Sequence, residues 1–89
     1  MMTDQLTVEA AAIQKDGVVY SVCRPGRHDA VIRIMVAQDV SPRGGVQGFL
    51  LSDGTFVNRW KAARVAFRAQ QFLVPPEQPP EALLSEDVW

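Results

Sequence analysis

The stretch from Gln47 to Gln71, QGFLLSDGTFVNRWKAARVAFRAQQ, constrains the fold of this chain more than any other. Val46 to Leu51 reads as a strand and Ser52-Asp53-Gly54 as a turn, with Thr55 to Val57 as a short return strand. Asn58 follows with an oxygen suited to capping a helix. Arg59 to Gln71 then reads as a basic amphipathic helix, its apolar side built from Trp60, Ala63, Ala66, Phe67 and Gln70. Lys61, Arg64 and Arg68 fall at helical spacing and make one basic stripe. Strand, turn, cap and helix thus follow each other with no spare residues.

The preceding half supplies a second hairpin and a first helix. Thr7 to Ile13 is apolar, and its three alanines suit a helix as well as a strand. Lys15-Asp16-Gly17 and the β-prone Val18-Val19-Tyr20-Ser21-Val22 decide for a hairpin, Leu6–Gln14 with Val18–Val22. Met1 to Gln5 reads as a frayed end. After the Cys23-to-His28 loop, where Pro25-Gly26 forces a turn, His28 or Asp29 opens a helix through Ala37. That helix is apolar on most faces, which predicts burial between the sheet and a second subunit. Asp39 to Gly45 is a loop.

The expected fold is therefore α+β: a small antiparallel sheet made of two hairpins, with two helices packed on it, in a single domain over residues 1–74. Residues 75–89 form a proline-rich spacer and a docking tail. PPEQPP is semi-rigid, and the terminal Trp89, able to bury about 200 Å², predicts docking on its own domain or on a neighbour.

A chain of 89 residues buries only about 60–65% of the surface its unfolded form exposes, so a homo-oligomer is expected. Cys23 stands alone and has no internal disulfide partner; a buried, structural thiol is the expectation. With neither a leader pattern nor a membrane-length apolar run, the chain reads as cytoplasmic, with no membrane partner. The net charge of −1 conceals a polarity. Through Arg68 nine bases face six acids, a balance of +3; beyond it four acids meet no base, a balance of −4. The basic stripe therefore has a candidate partner in the tail carboxylates Glu77, Glu81, Glu86 and Asp87. Direct DNA binding is not expected, because no recognition-helix motif appears and the chain is slightly acidic.

Catalysis finds little support. Cys23 and His28 are the only residues of their kinds and no nucleophile motif surrounds them. Zinc lacks a ligand set, and no phosphate-cradling glycine loop is present. No cofactor is called for. Anion binding is better supplied. Arg24, Arg27 and His28 share a loop beside one helix start, and Asn58 and Arg59 sit at the other. Phe49, Phe56 and Trp60 are either rings on which a base can stack or parts of the core.

The run GRHDAVIR at residues 26–33, QGFLLSDGTFVNRWKAARVA at 47–66 and the final LLSEDVW at 83–89 together resemble a group of small phage-encoded proteins. Their best characterised relatives are the first family of anti-Thoeris proteins. These are phage sponges that sequester the cyclic ADP-ribose signals of bacterial TIR immunity, some of them also holding cyclic oligonucleotides. The resemblance implies a small α+β domain assembling as dimers or trimers of dimers, with nucleotide pockets at subunit interfaces and binding without turnover. By motif it singles out Arg27 and His28, Gln47 and Phe49, and Phe56, Asn58 and Arg59; loop chemistry adds Arg24. The chain departs from the family in carrying Trp60-Lys61 where an acid is expected soon after the arginine. The alternative expectation is a phage interaction protein that inhibits a host defence protein through its first helix and acidic tail.

Overall fold

The computed structural model describes residues 5–89. The chain forms strand β1 (Val8–Lys15), strand β2 (Val18–Cys23), helix α1 (His28–Ala37), strand β3 (Val46–Leu51), strand β4 (Phe56–Asn58) and helix α2 (Arg59–Arg68), and ends in a 3₁₀ turn at Ser85–Asp87. The four strands make one antiparallel sheet in the order β2-β1-β3-β4. This is the α+β fold of two hairpins and two helices that the sequence predicts, joined through the β1–β3 pair. Among the described residues no helix is long and apolar enough to cross a membrane. The predicted frayed end falls mostly on residues 1–4, outside the described residues. Gln5 is tied down, its Nε2 donating to the Arg68 carbonyl at 3.0 Å.

The first hairpin settles the ambiguity of its alanines. Asp16 and Gly17 both take positive φ, 51° and 78°, the pair of values that turns two strands tightly back on each other. Pairing of β1 on both sides then outweighs the helix preference of Ala10, Ala11 and Ala12.

Register divides the sheet into two unlike faces. Ala11 pairs with Val22 on one side and Phe49 on the other, and Phe49 pairs with Val57, so these four share a face. Both helices cover that face: Val31 and Met35 of α1 and Ala62, Ala63 and Ala66 of α2 join the same buried cluster. The other face carries the row Ser21, Ala12, Gly48, Asn58 and the row Cys23, Ala10, Leu50, Phe56. Neither row holds a charged residue, and neither belongs to the main core. Cys23 is exposed there, which corrects the expectation of a buried thiol.

The second helix corrects two further expectations, its buried face and its end, while the first buries a single stripe within the chain. Only Val31 and Met35 of α1 are buried, while Val36 is exposed. The sheet lies on one side of this helix, so an i,i+4 pair is all it can bury. In α2 the buried face is Ala62, Ala63 and Ala66, and Trp60 is 52% exposed. The helix follows β4 without a linker, so the position of Asn58 fixes its rotation and turns Trp60 outward. The small alanines let the helix backbone approach the sheet closely. The helix also ends earlier than predicted. Gln70 takes φ 58° and Gln71 N donates to the Ala66 carbonyl at 2.9 Å, a left-handed stop of the kind glycine usually provides. That turn carries the Gln71 carboxamide onto the start of β1. Its Oε1 accepts from Val8 N at 2.7 Å, and its Nε2 donates to the Val8 carbonyl at 2.9 Å.

The tail docks on its own domain. Leu83 and Val88 are buried in the same cluster as the sheet and helices. Leu83 N donates to the Arg59 carbonyl at 2.9 Å and Leu73 N to the Asp87 carbonyl at 2.9 Å, and Trp89 Nε1 donates to the Gly26 carbonyl at 2.8 Å. Apolar contact and hydrogen bonds hold it, two of them from the Arg27 and Arg59 guanidiniums to tail oxygens, and among the described residues the tail carboxylates add no ion pair. Among the described residues the ion pairs are Arg24–Glu9 and Arg33–Asp29. The stripe Lys61, Arg64 and Arg68 is exposed and does not meet the tail carboxylates, contrary to expectation.

Candidate functional site

Three chain segments begin a helical turn at one end of the core. The Pro25-Gly26 turn delivers Arg27 in extended conformation as the cap residue of α1, with no side-chain cap of its own. Asn58 caps α2, its Oδ1 accepting from Lys61 N at 2.9 Å, and so places Arg59 at the first helical position. The docked tail brings in the 3₁₀ turn. Between them lies a cavity of about 360 Å³, within the range of roughly 300–1,000 Å³ typical of small-ligand sites. Arg27, His28 and Asp29 line it from α1, with Gln47 and Arg59 beside them; Leu84, Ser85 and Glu86 close it from the tail.

The side chains are held in place. Arg27 Nη2 donates to the Trp89 main-chain oxygen at 2.5 Å and Arg59 Nε to the Leu83 carbonyl at 3.0 Å. Each bond uses one nitrogen of a guanidinium fork that has five donors. His28 lies 2.8 Å through Nε2 from the Gly48 carbonyl and 3.3 Å through Nδ1 from Ser85 Oγ. A carbonyl can only accept, so Nε2 carries the proton and Nδ1 accepts from the Ser85 hydroxyl. The ring stands edge-on to Phe49 at 4.9 Å, and Phe49 edge-on to Trp89 at 6.2 Å. Burial lowers the His28 pKa below its usual 6.5 and the nearby Arg59 charge adds to this, against the Gly48 carbonyl, which favours the proton. His28 is therefore a neutral, oriented hydrogen-bonding group at neutral pH.

A family model described as Phage T4 y16D protein matches residues 7–89. The chain belongs to the phage T4 y16D protein family. No curated protein and no solved structure matches it. Phage origin, expected from the three motifs, is thus supported at the level of this family.

In this y16D-family chain the residues singled out by sequence separate into two groups. Arg27, His28, Gln47 and Arg59 come together on the cavity, although they lie far apart along the chain. The other four do not line it. Phe49 is 0% exposed; it supports His28 from below and has no free ring face for a base. Phe56 pairs with Leu50, so it stands on the opposite side of the sheet. Asn58 is occupied as the cap of α2, and Arg24 is paired with Glu9 at 3.5 Å. Sequence reasoning missed Asp29, Leu84, Ser85 and Glu86. The signal was present for the last three, which lie within LLSEDVW, but nothing in that motif says that the tail folds back onto the helix starts. A larger hollow of about 610 Å³ lies at the other end of α2, lined by Phe67, Arg68, Gln70, Phe72, Pro75 and Pro76. It contains none of the predicted site residues.

Proposed function

We propose that this phage-family protein binds and sequesters a cyclic nucleotide signal, a cyclic ADP-ribose isomer or a cyclic oligonucleotide, without turnover, as a means of evading host immunity. One observation carries the reading: Arg27 and His28 from one motif and Gln47 and Arg59 from another line a single cavity of ligand size. Arg27 and Arg59 neutralise phosphate oxygens, with the α1 start adding its own N–H groups. Gln47 and Ser85 supply neutral hydrogen bonds. With Phe49 buried and Phe56 on the far face, stacking on the base falls to a guanidinium plane rather than to an aromatic ring.

Thermal-shift titration with cyclic ADP-ribose isomers and with cyclic di- and trinucleotides tests the reading. A ligand at 100 times its Kd adds about 2.7 kcal/mol of stability. Arg27→Ala with Arg59→Ala should abolish that shift, and ligand recovered after denaturation should be chemically intact. Recovery of a hydrolysed nucleotide would replace the sponge by an enzyme. A second reading, a module that inhibits a host protein, has support in the exposure of Leu73 and Val74, the latter 82% exposed. Absence of any nucleotide shift, combined with saturable binding of a purified host defence protein that Val74→Asp abolishes, would favour it.

A further inference from the structure

The cavity balances its charges, which narrows the ligands it suits. Arg27 and Arg59 share its lining with two carboxylates, Asp29 and Glu86. Asp29 is already paired with Arg33 at 3.2 Å. Glu86 makes no ion pair and no side-chain hydrogen bond among the described residues. Its main chain is nevertheless fixed. Ser85 and Val88 on either side are buried, and Leu84 N donates to Asp87 Oδ2 at 2.9 Å across the turn. The same tail segment also holds both guanidiniums, through the Leu83 and Trp89 oxygens. It thus positions the two cations and adds an unpaired anion beside them.

A carboxylate only accepts hydrogen bonds. Beside a phosphate site it repels a polyanion and rewards a ligand that brings a donor. A site for inorganic phosphate chains gains nothing from it, whereas a nucleotide meets it with a ribose hydroxyl or an exocyclic amine. We infer that Glu86 sets the specificity of the cavity: it admits nucleotides whose phosphates carry one negative charge each and whose sugar or base donates to it, and it turns away inorganic polyphosphate and terminal triphosphates. The inference rests on the nucleotide reading above.

The test uses the full chain, as wild type, Glu86→Gln and Glu86→Ala, titrated calorimetrically with cyclic di-AMP, cyclic ADP-ribose, ATP and sodium tripolyphosphate. The wild type should prefer at least one cyclic nucleotide to tripolyphosphate by about tenfold or more. Glu86→Gln removes the charge but keeps an accepting oxygen, so it should tighten tripolyphosphate and ATP by about tenfold and leave the cyclic nucleotide nearly unchanged. Glu86→Ala should relax the same exclusion and also weaken the cyclic nucleotide. Equal tightening of all four ligands by Glu86→Gln, or no change in any, would overturn the inference. If no cyclic nucleotide binds the wild type but Glu86→Gln gains tripolyphosphate binding, the nucleotide reading fails and the exclusion by Glu86 stands. If nothing binds any variant, both fall. Because Glu86 is exposed, unliganded melting temperatures of the variants should match that of the wild type, which separates loss of binding from loss of fold.

Discussion

On one face of the sheet Phe49 lies beneath both helices and the docked tail, fully buried. On the other, seven positions further along the chain, Phe56 is only half-buried and lies outside the cluster that the helices join. The two faces are stabilised by different means. The covered face depends on packing between residues far apart in sequence: Phe49 stands edge-on to His28 and Trp89 and shares one buried cluster with Ala63 and Leu83. The open face is stabilised locally. A Cβ built on Gly48 would lie 2.7 and 2.9 Å from the Phe56 ring, so the ring lies against the glycine and covers backbone that no side chain of its own protects. An isolated aromatic can therefore belong to a fold in two ways, as the floor of a core or as a roof over one glycine.

The contrast can be broken by substitution, and the largest effect is expected on the covered face. Phe49→Ala should destabilise the protein by about 3–5 kcal/mol in urea unfolding, since it empties the floor under His28 and Trp89. Gly48→Ala comes next, at about 1–3 kcal/mol, because the new methyl collides with the Val57 carbonyl as well as the ring. Backbone cannot swing aside as a side chain can. Phe56→Ala should cost only about 1 kcal/mol, in proportion to the part of the ring that is buried. If it costs as much as Phe49→Ala, and the melting temperature rises with protein concentration, the open face is covered in solution by another copy and the contrast disappears.

The smallest effect distinguishes the faces by pH. His28 belongs to the covered side and its folded pKa lies below 6.5, so the unfolded chain takes up its proton first. Stability should be constant above about 6.5 and fall as pH drops below it, levelling once the folded protein is protonated too. Asp53 titrates below its ordinary 3.8, held down by hydrogen bonds from Thr55, and so leaves the window between pH 5 and 7 undisturbed. Melting temperatures across that window should slope for the wild type and flatten for His28→Gln.

Features set by neighbouring residues could be read from the sequence. Asp16-Gly17 and Asp53-Gly54 mark the two hairpins, and Asn58 caps its helix as predicted. Features set by register could not. Nothing beside Phe49 or Phe56 states which face each takes; that is decided by the pairing of Ala11 with Phe49 and of Leu50 with Phe56. The same holds for Trp60, whose apolar surface suggests burial until the junction with β4 turns it outward. Of the four predicted site residues that reached the cavity, Arg27, His28 and Arg59 stand at helix starts, where local chemistry already points to anions, and Gln47 lies on β3. The tail's share required knowledge of how residues 83–89 return across the fold.

The Gln71 carboxamide bears on how this protein avoids others. β2 pairs with β1 only from Ala10 onward, so at Val8 the sheet would otherwise offer a bare N–H and C=O to any passing chain. Exposed pairs of that kind are where a foreign strand can add itself and where aggregation begins. By donating to one and accepting from the other, a single side chain imitates the backbone of the missing strand. Replacing it with alanine would leave stability less changed than solubility, because what is lost is a guard on the edge.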